Sequence, residues 1–150
     1  MRKISRSALV PYSASQMYAL VDNIEAYPEF LPWCSDAVVH LREANIVEAT
    51  LELRRSGLRR RFKTRNTVRV NQAIDLALID GPFRHLAGAW RFGELGASGC
   101  KVSLELEFEL ESRVTDALLG PFFAEICNSL VDAFARRARD IYGNSEDRDA

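Results

Sequence analysis

A strict alternation of apolar and polar residues occupies the middle of the chain and predicts β-strands. Residues 46–55, "IVEATLELRR", and residues 101–112, "KVSLELEFELES", each place apolar side chains on one face and polar ones on the other. The period of two recurs in residues 3–10, 36–43, 58–70, 73–80 and 85–95, and it is less regular in the first two of these segments. The pattern therefore predicts about seven strands joined by short turns into an antiparallel sheet.

Two details of this pattern predict particular positions in the sheet. In residues 58–70 the apolar face is predicted to hold Leu58, Phe62, Val68 and Val70. Gly88 interrupts the apolar face of residues 85–95. A glycine inside a strand indicates a bend or the close approach of another group.

A period of three to four residues replaces the alternation from Leu119 onward and predicts one long amphipathic helix. Pro121 suits a first helical position and Gly143 a residue just past the end, so the helix is predicted over residues 121–142. Residues 144–150, "NSEDRDA", are predicted to form a polar disordered tail. A sheet with one apolar face and one long helix indicates an α+β fold in which the helix packs across that face.

The N-terminal region predicts short, irregular helical structure. Residues 13–24, "SASQMYALVDNI", read as a short helix capped by Ser13. Residues 27–34, "YPEFLPWC", contain two prolines that exclude an ordinary helix or a central strand. This dense aromatic segment is predicted to be a shaped loop or a broken helix, and its rings either fill the core or form the wall of an apolar binding site.

Composition limits the classes of function. A chain of 150 residues with a formal net charge of -1 fits a single domain and excludes a globally basic nucleic-acid binder. Three cysteines without a CxxC pair argue against a disulfide framework and favour a reducing cytoplasm. No signal peptide is recognisable, and no apolar segment approaches a membrane-spanning length.

Candidate catalytic and metal-binding residues are few. His40 and His85 have no partner at metal-ligand spacing, and no nucleophile or phosphate-binding motif occurs. The alternating glutamates of residues 105–111 are explained as a solvated strand face. Cys34 is a candidate nucleophile only beside a base, and buried filler is its simpler role. The sequence predicts a binding protein without a catalytic residue or a metal.

An arginine-rich run is the second candidate site. Residues 54–69 contain many basic and no acidic side chains. A solvated face explains such a run, and RNA phosphates or anionic lipid headgroups are the functional alternatives. Few aromatic side chains interleave the run, which disfavours reading of single-stranded RNA.

Four stretches of the chain resemble one known family. They are "ALVPYSASQMYALVDNIEAYPEFLPWC", "FKTRNTV", "LIDGPFRHLAGAWRF" and "LVDAFARRARDIYG", and they are similar to the START-like family that includes mitochondrial coenzyme-Q-binding proteins and bacterial RatA proteins. The resemblance runs in order from Ile4 to Gly143. It implies a helix-grip fold over residues 1–143, in which a curved seven-stranded antiparallel sheet surrounds a long C-terminal helix and two short helices follow the first strand.

The resemblance also implies a function. Members of this family bind a hydrophobic lipid in a tunnel between sheet and helix, so we expect a non-enzymatic carrier or chaperone of ubiquinone or a related prenylquinone in support of respiration. Polyketide cyclases share the fold, but fold alone does not transfer their chemistry. No cofactor is expected other than the bound lipid, and the expected lining residues are Tyr27, Phe30, Leu31, Trp33, Leu51, Phe62, Phe83, Trp90, Phe108, Phe122, Phe123, Ile126 and Leu130.

A RatA-type toxin, which binds the large ribosomal subunit and blocks subunit association, is the alternative that the resemblance leaves open. Contact with the ribosome or with a membrane surface would then fall to Arg59, Arg61, Lys63 and Arg65. The family does not require the basic triplet at residues 59–61, so it is interpreted as a local elaboration. The expected partners are thus a prenylquinone, a membrane surface and the ribosome, without DNA, in the cytoplasm or peripherally at the inner membrane.

Overall fold

The computed structural model describes residues 1–97 and 99–143 as a seven-stranded antiparallel sheet with one long helix across its apolar face. The strand order is β1-β7-β6-β5-β4-β3-β2, which confirms the predicted helix-grip arrangement. The strands are β1 Arg2–Val10, β2 Cys34–Glu43, β3 Ile46–Arg55, β4 Leu58–Arg69, β5 Ala73–Asp80, β6 Phe83–Leu95 and β7 Gly99–Leu110. The helices are α1 Ala14–Asp22, a 3₁₀ helix Ile24–Glu29 and α2 Arg113–Tyr142.

The alternation in sequence becomes an inner and an outer face of the sheet. On β7 the apolar residues are buried, with Phe108 completely inaccessible to solvent, whereas the glutamates between them lie on the outer face. Cross-strand partners on β6 pair with two of those glutamates: His85 Nε2 lies 3.0 Å from Glu107 Oε1, and Arg84 Nη1 lies 3.8 Å from Glu109 Oε1. The glutamates therefore lie on the outer, polar face of the sheet, as the solvated-face interpretation expects.

The predicted start of α2 was wrong. The helix begins at Arg113, because the Ser112 hydroxyl accepts a hydrogen bond of 3.1 Å from the backbone N–H of Thr115 and so caps the first turn. Strand β7 accordingly ends at Leu110, two residues before the predicted end. Pro121 lies inside the helix with its ring exposed to solvent, so α2 continues through the proline at the loss of one backbone hydrogen bond. The predicted end, at Gly143, was correct.

Both ends of α2 are fixed over one half of the sheet. The helix packs mainly on β1, β7 and α1. Near its start, Asp116 accepts from Arg2 at 3.2 Å. At its end, the Tyr142 hydroxyl donates to the Gln16 carbonyl at 2.9 Å. The inner face of β3 to β6 is less closely covered by the helix, and this is where the candidate site lies.

Length and composition alone would allow α2 to cross a membrane, since its most apolar window has a mean hydropathy of 1.3. The prediction that no apolar segment approaches such a length was therefore wrong, because it began the helix at Pro121. In the fold, 44% of that window is buried, and a core helix passes the same test. The finding is weak support for a membrane-spanning role.

The N-terminal predictions were confirmed. Ser13 caps α1 through a reciprocal pair of hydrogen bonds with Gln16. Residues 27–29 of the aromatic segment end the 3₁₀ helix, with Pro28 inside it, and residues 30–33 form a turn that leads into β2. The Tyr27 hydroxyl donates to the Val21 carbonyl at 2.5 Å. Val70, predicted in the core, lies beyond the end of β4 and is 66% exposed, so that prediction was wrong. The predicted tail, residues 144–150, lies outside the described residues.

Candidate ligand-binding cavity

A cavity of about 90 Å³ lies between the inner face of β3 to β6 and the helix α2. Its walls are mainly apolar and aromatic. The sheet and the aromatic N-terminal segment supply one wall, and residues 123–134 of α2 supply the other. The lining residues are Ile24, Tyr27, Trp33, Ala49, Leu51, Phe62, Thr64, Asn66, Leu76, Leu86, Trp90, Leu106, Phe123, Ile126, Cys127, Leu130 and Phe134.

Most of the lining predicted from the sequence comes together at this cavity. The predicted residues that line it are Tyr27, Trp33, Leu51, Phe62, Trp90, Phe123, Ile126 and Leu130. Trp33 and Leu130 are only half-buried, and they come from the aromatic N-terminal segment and from the helix. These two walls must separate if a larger molecule is to enter.

The structure places the other five predicted residues elsewhere. Phe83 and Phe108 belong to a ring cluster behind the cavity, in which the ring centroid of Phe108 lies 4.8 Å from that of Phe123. Phe30 packs against Phe134 on one side and lies under the Arg137 guanidinium on the other. Leu31 is fully buried in the core. Phe122 is half-buried beneath the guanidinium of Arg55.

A polar pair inside the apolar cavity was not predicted. Thr64 and Asn66 project from β4 into the cavity, and the Thr64 hydroxyl donates to the Asn66 side-chain oxygen at 2.9 Å. Their signal was present in the sequence, because positions 62, 64, 66 and 68 share one face of a strand. The prediction took that face to be entirely apolar and therefore left out Thr64 and Asn66.

The Asn66 amide keeps hydrogen-bonding capacity for a ligand. Asn66 is 7% exposed, and within residues 1–97 and 99–143 its side-chain nitrogen donates to no protein acceptor. Among the described residues no fully buried side-chain nitrogen or oxygen lacks a partner, so the Asn66 nitrogen is accessible from the cavity, and an acceptor atom placed there can bind it. The cavity can thus hold an apolar group that carries a hydrogen-bond acceptor.

The size of the cavity limits what it holds without a change of shape. Ligand pockets typically enclose roughly 300–1,000 Å³, and this cavity encloses about 90 Å³. A whole lipid therefore requires α2 and the aromatic N-terminal segment to move apart. The ring contact of 5.2 Å between Phe30 and Phe134, and that of 5.4 Å between Tyr27 and Phe134, join these two walls.

Ionisable groups on the cavity wall stay protonated and neutral. Burial is the main cause that raises the pKa of Cys127 to about 12, and burial also raises the pKa of Tyr27. No carboxylate, histidine or lysine of residues 1–97 and 99–143 lines the cavity. Cys34, the candidate nucleophile, is buried outside this wall, and burial raises its pKa to about 11. A thiol with such a pKa has very little reactive thiolate at neutral pH.

The described residues offer no metal site. Among the residues described, no cluster of three or more histidine, cysteine or carboxylate side chains could hold an ion. His40 contacts Thr50 Oγ1 at 2.7 Å, and His85 contacts Glu107, so each histidine has a local partner.

Acidic residues on β3 pair with the arginine-rich strand β4. Glu52 lies opposite Arg61 in the strand register and accepts from it at 2.8 Å, with Arg59 at 3.6 Å. Glu48 binds Arg65 at 2.7 Å and lies 4.0 Å from Lys63. Hydrogen bonds from Arg61 and Ser35 hold the pKa of Glu52 below its usual range. The outer face of β4 therefore forms ion pairs with β3. Glu48 and Glu52 partly compensate the positive charge of Arg59, Arg61, Lys63 and Arg65.

Comparisons with known proteins agree with this geometry. The family model described as "Polyketide cyclase / dehydrase and lipid transport" matches residues 10–135. The chain is 41% identical to the ribosome association toxin RatA of Pseudomonas aeruginosa over 93% of this chain and 97% of that one. It is 31% identical to the coenzyme Q-binding protein COQ10 homolog B of Xenopus laevis over 95% of this chain and 60% of that one.

A solved structure shares the fold without close sequence similarity. The Zhui aromatase/cyclase from Streptomyces superposes with a TM-score of 0.81 at 15% identity, covering 93% of this chain and 95% of that one. At that level of identity the likeness concerns the fold alone.

Proposed function

Since the chain belongs to the polyketide cyclase / dehydrase and lipid transport family, we propose that it binds a prenylquinone such as ubiquinone and does not transform it. The observation that carries this proposal is the apolar cavity with the Asn66 amide facing into it. The relative named as a coenzyme Q-binding protein supports the same class of ligand.

The chemistry of a quinone suits the cavity. A quinone headgroup offers carbonyl oxygens that accept hydrogen bonds, and the Asn66 amide nitrogen is a donor without a protein partner. The prenyl tail contributes roughly 0.8 kcal/mol for each CH₂ group removed from water. A few isoprene units therefore offset the cost of moving α2 and the aromatic N-terminal segment apart.

The ionisable groups on the cavity wall favour binding over catalysis. A cyclase needs an acid or a base that exchanges protons near neutral pH. Among the described residues that line the wall, Tyr27 and Cys127 are the titratable ones, and burial raises the pKa of both. We therefore assign no catalytic residue.

The ligand is tested by mass spectrometry of organic extracts from protein purified from its own host. The wild-type protein is expected to carry a prenylquinone at about one molecule per chain. Ala49→Leu places a larger side chain at a cavity-lining position that is 3% exposed, and should reduce the recovered quinone at least tenfold. Asn66→Leu keeps the branching and the number of side-chain heavy atoms, removes the donor, and should weaken quinone binding at least tenfold.

Ala19→Leu on the exposed face of α1 is the matched control and should leave the quinone content unchanged. Circular dichroism of each variant separates loss of ligand from loss of fold. An empty wild-type cavity, or equal quinone content in all folded variants, would show that the cavity is not the quinone site.

Ribosome association is the second candidate function, and the RatA relative at 41% identity favours it. Wild-type protein would then sediment with large ribosomal subunits and be released as salt is raised. Replacing Arg59, Arg61, Lys63 and Arg65 together by serine is expected to abolish that sedimentation if this face is the contact. Sedimentation that persists in the quadruple variant would exclude the face as the ribosome contact.

A further inference from the structure

Exposed arginines and exposed apolar side chains lie together at the end of the sheet where β3 turns into β4. The turn and its flanks carry Arg54, Arg55, Arg59 and Arg60, all exposed, and are called the arginine tip below. The first turns of α2 carry Val114, Leu118 and Phe122, which are called the apolar stripe. Val114 is 71% exposed and Leu118 is 60% exposed, in contrast to the buried residues later on the same helix.

A direct contact makes the tip and the stripe one continuous surface. The guanidinium of Arg55 lies over the ring of Phe122, 5.0 Å from its centroid, and also binds Glu125 at 3.3 Å. The three stripe residues are spaced by four positions, so they line one face of the helix. The surface therefore has an apolar strip flanked on one side by arginines.

In residues 1–97 and 99–143, two of the four arginines of the tip lack an acidic partner, whereas Arg55 and Arg59 lie within ion-pair distance of Glu125 and Glu52. In the described part of the chain, Arg54 and Arg60 have no carboxylate within ion-pair distance, whereas Arg61 and Arg65 are held by Glu52 and Glu48. Arg113, at the start of α2, also has no acidic partner among the described residues. Of the described residues, Arg54, Arg60 and Arg113 thus supply unpaired positive charge at the turn and at the helix start.

We propose that the arginine tip and the apolar stripe together dock on a membrane that contains anionic lipid. Anionic headgroups attract arginine side chains at about 1 kcal/mol each, and aliphatic side chains beside them enter the interface. An RNA surface fits less well, because valine and leucine offer no stacking face to bases and no charge to phosphates. This surface replaces the outer face of β4 as the predicted membrane contact.

The location of the surface connects docking to the cavity. Phe122 ends the stripe, and the next residue, Phe123, lines the cavity together with Ile126. Docking therefore brings the membrane to the part of α2 that continues directly into the cavity wall. The docking itself does not depend on which molecule the cavity holds.

The proposal is tested by flotation with lipid vesicles at physiological salt. Wild-type protein should bind phosphatidylcholine vesicles containing about one-third phosphatidylglycerol, and bind pure phosphatidylcholine vesicles at least tenfold less. The double variant Arg54→Ser and Arg60→Ser should bind the anionic vesicles about 30-fold less, from about 1 kcal/mol for each arginine. The double variant Val114→Ser and Leu118→Ser should lose at least tenfold.

Matched controls remove the same groups from other surfaces. Arg69→Ser with Arg91→Ser deletes two exposed arginines, and Val70→Ser with Leu95→Ser deletes two apolar side chains that are 66% and 50% exposed. Both controls should keep most of the binding. Equal losses in control and test variants, or no binding of the wild type to anionic vesicles, would overturn the proposal. Binding to polyuridylate that is lost with Arg54 and Arg60 but not with Val114 and Leu118, without vesicle binding, would assign the tip to RNA instead.

Discussion

Replacing Phe134 by alanine is expected to lower the free energy of unfolding by about 3–5 kcal/mol, the usual cost of removing a buried phenylalanine ring. Phe134 is 1% exposed. Its ring centroid lies 5.2 Å from that of Phe30, 5.4 Å from that of Tyr27 and 5.3 Å from the Trp90 ring. The loss should be large because one ring joins α2, the aromatic N-terminal segment and the sheet.

Urea denaturation followed by circular dichroism measures this loss. Ile141→Ala is the matched control on the same helix, since Ile141 is 52% exposed and its truncation should change the stability by about 0.5 kcal/mol or less. A loss below about 1 kcal/mol for Phe134→Ala would contradict the packing of α2 against the aromatic segment.

Phe134→Ala also tests the proposed ligand. Removing the ring enlarges the cavity that Phe134 lines and breaks the contacts that hold its walls together. A ligand that binds only the folded protein raises its apparent stability by mass action. Added short-chain ubiquinone should therefore restore more stability to Phe134→Ala than to Ile141→Ala.

The strands could be predicted from the sequence because their signal is local. On β7, burial alternates residue by residue along "VSLELEFEL", and the sequence pattern needs no knowledge of distant partners. The helix start could not be placed in the same way. Gly120 and Pro121 look like a boundary, yet the cap at Ser112 and the ion pair between Asp116 and Arg2 stabilise the earlier turns. Arg2 is distant in sequence, so its contribution was invisible to a local pattern.

The candidate site could be predicted only in part, because a cavity depends on the space that side chains from different strands leave between them. Phe62 and Phe108 both face inward in the sequence pattern, but only Phe62 reaches the cavity. Phe108 is packed behind Phe83 and Phe123. Asn66 was predictable, because the alternating pattern places it on the inner face of β4. A polar side chain on an otherwise apolar face indicates a candidate ligand contact.

The net charge of each surface was the property that the sequence predicted least well. The run from Arg54 to Arg69 contains no acidic residue, and its partners Glu48 and Glu52 come from the preceding strand. Only the antiparallel register brings Glu52 opposite Arg61 and Glu48 opposite Arg65. Within this run, Arg54 and Arg60 at the turn and Arg69 at the end of β4 have no carboxylate within ion-pair distance among the described residues.

Replacing Gly88 by alanine is expected to lower the free energy of unfolding by about 3 kcal/mol, near the upper end of the usual cost of overpacking. An added Cβ would lie 2.2 Å from the Glu105 carbonyl oxygen and 2.9 Å from Leu106 Cα. These are backbone atoms of β7, so β6 and β7 must separate to admit it. The close approach predicted from the glycine in β6 is thus present. The same separation would displace Leu106 and Trp90, which line the cavity, so quinone content should fall as well.

Gly93→Ala on the same strand isolates the effect of crowding from that of losing a glycine. A Cβ there would meet nothing closer than the Lys101 carbonyl oxygen at 4.0 Å, and neither glycine has a positive φ. Gly93→Ala should therefore leave the stability within about 0.5 kcal/mol of wild type or raise it slightly, because alanine has less freedom to lose on folding. Equal stability of the two variants in urea denaturation would mean that β6 and β7 are not in close contact at Gly88.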